Sequence, residues 1–473
     1  MTLATGSLPD TSTAPARPTA RPAALPARGR LRRRVRSVSP AATLGLASFA
    51  LYALYALRHH ARFDTGAYDL GIFGQGVRAY ADLRLPASEI RAATAAPGLQ
   101  DVAFPLLGDH FHPVLATLAP LYRLFPHVET LLIAQAALAA WSVYVVTRSG
   151  GPWIGAAYAL SWGIQNLIGF DFHEVTFALP LLALALAAYL DRRWTACAAW
   201  ASALLLVKED MGATVLVLGL LLLRRGPGPA RRAGLALCVL GPTAAALIVL
   251  VVIPHFNPGG AYVYLGSQNP AGTLAANGTK ALTLLMTLLP TLFLAARSPL
   301  LSLALPTLAW RFLSDNPSYW GIHFHYSAVL MPIVFFALID AVSRGKAPTR
   351  LRGRIPLAVA LTAAAIGSFF PLARIVTPGF WTDTPRITAA RQAVSLIPNG
   401  ARVAAGHNLA PHLTDRATVF LFAPDITDVR RQPVDWIVSD TERPGIGTRP
   451  GPSEVSGFRQ VFAADGYVVL RRK

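Results

Sequence analysis

Apolar residues in this chain fall in long blocks, separated by a few charged or turn-forming positions. The blocks lie near 41–58, 129–147, 152–169, 175–190, 194–207, 211–223, 232–254, 280–296, 298–314, 326–343 and 355–376. A bilayer-crossing helix takes roughly 20 mostly apolar residues, so the pattern predicts an all-α polytopic membrane protein of about 11 transmembrane helices. The short blocks 194–207 and 211–223 can also be read as one kinked span, which leaves the count open by about one. Beyond 376 the pattern changes. Residues 377–473 alternate short β-branched runs with a polar helical stretch, and FRQVFAADGYVVLRR reads as a hairpin turning at Asp465-Gly466. That predicts a small C-terminal α/β domain outside the membrane.

Composition agrees with a lipid-embedded bundle, being 53% hydrophobic and 14% charged. Lys and Arg outnumber Asp and Glu by 43 to 24. The basic residues form short clusters between apolar blocks, which is a topology signal and not a nucleic-acid face. The bilayer is therefore the expected partner, and nucleic acid is not. Residues 1–40, rich in Pro, Ala, Thr and Arg, predict a disordered basic cytoplasmic tail, with Arg28 to Arg36 holding the N-terminus inside. Walking through the spans, Arg148, Asp191-Arg192-Arg193, Arg224 to Arg232, Arg297 and Arg344 to Arg354 all fall on the same cytoplasmic side. The expected location is the plasma membrane, multi-pass, with the C-terminal domain extracytoplasmic. Cys197 and Cys238 both lie in apolar blocks, so they read as packing residues and not as a disulfide or metal pair.

This parity places the conspicuous acids and histidines on the outer side, including a large first outer loop over 59–128. Asp64 and Asp69 follow the first span, in a segment whose apolar spacing predicts an amphipathic helix on the outer surface. A carboxylate there can act as a general base, or it can simply cap the helix. GDHFHP supplies Asp109, His110 and His112, FDFHE supplies Asp171, His173 and Glu174, and HFHY supplies His323, His325 and Tyr326. Imidazoles and carboxylates in such groups bind a phosphate or a divalent cation, or are locally hydrogen-bonded loop residues. Lys208, Glu209 and Asp210 interrupt two apolar blocks, as a charged turn or as a phosphate- or metal-orienting group. There is no phosphate loop, dinucleotide fingerprint, zinc-protease motif or serine nucleophile elbow, and no cofactor is assigned beyond that possible cation.

The ordered series YDLGIF (68–73), GDHFHP (108–113), DFHE (171–174), KED (208–210), HYSA (325–328) and IPNGARVAA…LAPHLTDR (397–416) resembles the DUF2079 family of predicted prokaryotic membrane proteins. The resemblance runs from about residue 45 to the C-terminus. An acid opening an outer helix after the first span, then a His-Pro step at His112-Pro113, is more distantly similar to the first loop of GT-C glycosyltransferases. The protein mannosyltransferase and aminoarabinose transferase groups are examples. That resemblance implies a GT-C-like architecture and transfer of a sugar from a polyprenyl-phosphate carrier to an envelope acceptor. Asp69 would be the catalytic position and Asp64 its reserve. Asp109, His110, His112, His173, Glu174, Lys208, Glu209, Asp210, His325 and Tyr326 would bind substrate, with Arg78 a further candidate for the departing phosphate. The frequent Asp-Glu pair of those enzymes is Asp69-Leu70 here, so no second acid adjoins the first. Two other readings stand beside it: a transporter or flippase of a polar or lipid-linked solute, and a non-catalytic envelope protein whose loop motifs do not converge. Oligomeric state is not legible.

Overall fold

The computed structural model of the chain describes residues 39–95, 103–266, 277–346, 352–423, 429, 432–443 and 451–473. The tail expected at 1–40 lies almost wholly outside them. Among the described residues three helices, Pro40–Ala61, Glu129–Gly150 and Pro229–Phe256, are long and apolar enough to cross a membrane, and six apolar helices of 10–17 residues accompany them. Pro40–Ala61 starts where Ser39 accepts from the Ala42 N–H and Pro40 occupies the first turn.

Several expected spans are discontinuous. The block 152–169 is two helices, Pro152–Ala159 and Trp162–Gly169, with Gln165 donating to the Leu160 carbonyl at the break. The block 280–296 is helical only to Leu288, after which Pro290 and the left-handed Leu292 and Phe293 turn the chain through short 3₁₀ segments. Proline has no N–H to continue the ladder, which explains this break and the 3₁₀ start at Pro299. The blocks 194–207 and 211–223 form separate helices, Trp194–Ala203 with a 3₁₀ turn to Leu206, then Met211–Leu223. Cys197 is buried and Cys238 half-buried, both as free thiols.

The C-terminal segment carries helix Pro385–Ser395 and a mixed five-stranded sheet. In chain order the strands among the described residues are β1 (Ala87–Ser88), β2 (Phe104–Pro105), β3 (Arg402–Ala405), β4 (Thr418–Leu421), β5 (Trp436–Asp440), β6 (Phe458–Ala464) and β7 (Tyr467–Arg472). The five-stranded order is β4-β3-β5-β7-β6, with β3 parallel to β4 and β5 and β7 antiparallel to its neighbours. Asp465 and Gly466 take positive φ of 43° and 80° at the β6–β7 turn, as an Asp-Gly hairpin requires. Arg386 clamps helix Pro385–Ser395 to the sheet through Asp440 and Glu442.

One apolar cluster joins this sheet to the loop after the first helix, with Phe63, Ala67, Ile72 and Ile90 packing against Val403, Leu409, Leu413 and Val438. The segment expected to lie on the outer membrane surface is instead helix Ile72–Ala81, buried along most of its length. Phe73 packs on Phe172 and His173 of the bundle, while Gln75 donates to the Val419 carbonyl of β4. Its second face meets protein and not lipid. Arg78 donates to the carbonyls of Thr414 and Ala417, so it fastens this contact and lines a separate groove with Asp82, Tyr122 and Asp415.

Candidate active site

A cavity of about 1080 Å³ opens at one end of the bundle, walled by the first loop, 169–174, 208–210, 262–264, 310–326 and, from the turn after β3, His407 and Asn408. Asp64, Asp69, Asp109, His110, His112, His173, Glu174, Lys208, Glu209, Asp210, His325 and Tyr326 all line it. His323, by contrast, points into a separate groove. At the other end of the same helices Arg148, Arg192, Arg225 and Arg344 surround a second cavity. The acids and histidines of the sequence motifs therefore share one end, and Arg148, Arg192, Arg225 and Arg344 share the other.

Asp69 is the third residue of a π-helical turn, Ala67–Gly71, which runs into helix Ile72–Ala81. Such turns are rare and reorient a side chain by one extra residue. Gly66, not Asp69, occupies the helix cap. The Asp69 carboxylate makes no hydrogen bond among the described residues, and Nε2 of His173 lies 3.7 Å from it. Burial, then the nearby Asp171 and Glu174, raise its pKa well above the usual aspartate value, and Lys208 offsets this only in part. Asp64 is different, being held by Arg374 at 3.0 Å and Arg62 at 3.3 Å.

The other carboxylates are mostly paired. Asp109 accepts both arms of Arg91, at 2.7 and 2.8 Å, and these bonds hold it at about 2 although burial would raise it. Glu209 accepts from His110 at 2.6 Å, from the Phe111 N–H at 3.0 Å and from the Tyr262 hydroxyl at 2.8 Å. Against its burial, the charge and hydrogen bond of His110 hold it at about 2. Burial and Lys208 work against a charged His110, yet Glu209 outweighs them and raises its pKa. Lys208 donates to Glu174 at 2.9 Å. Burial disfavours its ammonium, but Glu174, Glu209 and Asp210 raise its pKa well above that of free lysine. Burial lifts Asp210 to about 6, with Lys208 opposing. Asp171 takes a positive φ of 82° so that its carboxylate accepts from the Gly66 N–H at 2.7 Å; burial still lifts it to about 7.

His112, His173 and His325 supply the neutral side of the cavity. Burial lowers His112 to about 4, and burial with His173 and Lys208 drives His325 well below the usual histidine value. His173 and His325 stack with ring centres 3.5 Å apart. Nδ1 of His173 also lies 2.7 Å from Oε2 of Glu174, though that oxygen has no aligned hydrogen bond. Buried polar atoms of His112, Glu174, Asp210, Trp310, His325 and His407 have no partner among the described residues. Native interiors satisfy such groups, so these atoms are ones that water or a polar ligand in the cavity would satisfy. Among the described residues no group of three or more His, Cys, Asp or Glu is arranged to hold a metal ion.

Residues 59–462 match the family of predicted membrane proteins designated DUF2079. The chain belongs to the DUF2079 family. Among solved structures, ArnT from Cupriavidus metallidurans in the apo state is similar over 90% of this chain and 97% of that chain, at 15% identity and a TM-score of 0.50. The same enzyme bound to undecaprenyl phosphate gives 14% identity and a TM-score of 0.48 over the same shares. The likeness to the apo enzyme is one of fold. No curated protein sequence matches.

The cavity of this DUF2079 protein also depends on residues without a motif. Gln135, buried in helix Glu129–Gly150, receives the His173 N–H at 3.0 Å and the Thr176 hydroxyl at 2.8 Å and donates to the carbonyls of Leu167 and Asp171. It sets the whole 170–176 loop. Arg311 does the same for the following wall, donating to the carbonyls of Tyr319 and Gly321 at 2.7 Å each and to Ser327 at 3.0 Å. Asn408 reaches the Thr65 carbonyl at 3.0 Å and brings the sheet to the cavity's edge.

Proposed function

We propose that this protein transfers a sugar from a polyprenyl-phosphate carrier to an acceptor of the cell envelope, with Asp69 as the general base. The acceptor's hydroxyl or amine attacks the anomeric carbon and the bond from that carbon to the phosphate oxygen breaks. Polyprenyl phosphate leaves with the electron pair, and Asp69 takes the acceptor's proton. Lys208, with hydrogen bonds from His112 and His325, stabilises the charge developing on the leaving phosphate. With the arginine-rich corners read as cytoplasmic, the cavity faces the cell exterior, where a lipid-linked donor would be presented at the bilayer surface.

The observation that carries this reading is the state of Asp69. Of the carboxylates around the cavity, those held at low pKa are tied to Arg91, to His110 or, for Glu174, to His173 and Lys208, whereas Asp69 has no hydrogen bond among the described residues, is elevated in pKa and lines the cavity. The GT-C resemblance of its segment and the ArnT-like fold of the chain support the same reaction class. Convergence of loops from 64 to 326 on one cavity supports chemistry over a scaffold role.

The test is reconstitution of the purified protein in liposomes with polyprenyl-phosphate sugars and envelope acceptors. Sugar transfer that disappears in Asp69→Asn, with the variant still folded, is the expected result. Movement of the intact carrier across the bilayer without transfer would replace the proposal with a flippase. Undiminished transfer by Asp69→Asn would remove Asp69 from the mechanism.

A further inference from the structure

The second cavity, at the opposite end of the helices, has a volume of about 720 Å³ and a mixed lining. Five arginines reach it from four separate corners of the chain: Arg148, Arg192 with Arg193, Arg225 and Arg344. Only two of them have a carboxylate partner among the described residues. Arg344 pairs with Asp340 at 2.8 Å, and Arg193 with Asp191 at 3.2 Å across an exposed turn. Asp340 also accepts from the Ser298 hydroxyl at 2.6 Å. Arg225 is held over the Tyr189 ring at 4.4 Å and donates to that tyrosine's hydroxyl at 3.0 Å. Arg148 leans over Tyr144 at 5.9 Å. Aromatic rings orient these guanidinium groups without cancelling their charge.

An inward-facing bias of basic loops accounts for arginines on this side of the membrane. It does not account for their lining one concave space together with Trp141, Tyr144, Leu184 and Ile339. Trp141 precedes Arg148 by two turns of helix Glu129–Gly150, and Leu184 precedes Asp191 by two turns of helix Ala178–Leu190. At 1.5 Å per residue, both walls run about 10 Å from the arginine level toward the middle of the bundle. That profile, charged at the mouth and apolar below, matches a phosphodiester head group with the first carbons of its acyl chains.

We infer that this cavity binds the head group of an anionic phospholipid of the inner leaflet, held by Arg148, Arg192 and Arg225. The site is independent of the sugar-transfer reading, since it shares no lining residue with the first cavity.

Native mass spectrometry of the purified full chain tests it, using phosphatidylglycerol and phosphatidylcholine of identical acyl chains. Selective retention of phosphatidylglycerol is expected, and Arg148→Ala with Arg225→Ala should weaken it on the order of tenfold, because each basic residue near a membrane surface attracts anionic lipid. Arg231→Ala, on the same side but outside the cavity, is the control for diffuse charge and should retain the lipid as the unaltered chain does. Size-exclusion profiles and thermal melts establish that each variant is folded. Equal retention of the two lipids, or equal losses in the cavity and control variants, would overturn the inference. Competition by inorganic phosphate as effective as that of phosphatidylglycerol would mean a soluble phosphate ligand, and would overturn the lipid assignment too.

Discussion

Nε2 of His173 stands 3.7 Å from Oδ1 of Asp69, and the other nitrogen of the same ring lies 2.7 Å from Glu174. Asp69 thus faces an imidazole that is itself fixed by Gln135 through the backbone and by stacking on His325. A proton taken by Asp69 has an imidazole next to it. On the proposed reaction Asp69 must be ionised to accept the acceptor's proton, so the rate falls as pH drops through its elevated pKa. Because burial and neighbouring acids raise that pKa, the acidic limb of the pH–rate profile lies well above the ordinary aspartate range. Asp210→Asn should leave this limb in place. His173→Gln should lower the rate by about 10- to 100-fold, with a smaller change in donor KM, less than the roughly 10²–10⁴-fold that a direct acid–base group supplies because His173 acts through Asp69. A limb that moves with Asp210 and not with Asp69 would assign the base elsewhere.

Lys208 has two possible duties that one variant cannot separate. It neutralises Glu174 at 2.9 Å, and on the proposed reaction it also meets the leaving phosphate. Lys208→Met alone strands a buried carboxylate and should destabilise the protein by about 3 kcal/mol. Lys208→Met with Glu174→Gln removes both charges, so the expected outcome is a folded protein with recovered melting temperature but donor turnover reduced by at least about 10-fold. Full activity in the double variant would make Lys208 a counter-ion and nothing more.

Arg91 and Asp109 form the site's best-aligned ion pair, both largely buried. Removing one partner of such a pair costs about 3 kcal/mol, and somewhat less here because each side chain keeps some exposure. Asp109 is held at about 2, below its unfolded value. Its contribution is therefore complete above the ordinary aspartate pKa and is lost as pH falls toward 2. Arg91→Ala should lower the melting temperature most near neutral pH, with the gap to the unaltered chain closing in strong acid. A gap that stays constant across that window would show the pair to be energetically idle.

Residues whose type is improbable in their setting were legible before the fold was known. Lys208, Glu209 and Asp210 announce themselves because charges between apolar blocks need a reason, and GDHFHP and DFHE do so by density of titratable groups. Gln135 was not legible. It is a single amide in an apolar helix, and its partners are 32 to 41 residues away. Arg91 and Arg311 look like any basic residue until Asp109 and the 319–327 loop are in place. The helix blocks themselves were legible from hydropathy, but their ends were not where Pro290 and Pro299 redirect the backbone. The burial of helix Ile72–Ala81 escaped for a related reason. An amphipathic stripe says that one face is covered, and only the docking of Val419, Thr414 and Ala417 says that protein covers its other face.

That docking runs through Gly66 and His407. A Cβ added at Gly66 would fall 2.2 Å from Nε2 and 2.8 Å from Cε1 of His407, too close for the ring to stay where it is. His407 is buried against Tyr68, and its neighbour Asn408 holds the Thr65 carbonyl, so the ring has little room to retreat. Gly66→Ala should therefore destabilise the protein by about 1–3 kcal/mol, as overpacked interiors do. Because Gly66 begins the turn that presents Asp69, it should also reduce sugar transfer. His407→Ala removes the colliding ring, so Gly66→Ala with His407→Ala should regain most of the lost melting temperature. Limited proteolysis of the segment after 377 would report the same order, fastest in the single glycine variant. Equal cleavage in all three proteins would mean that the sheet is not held to the bundle at this contact.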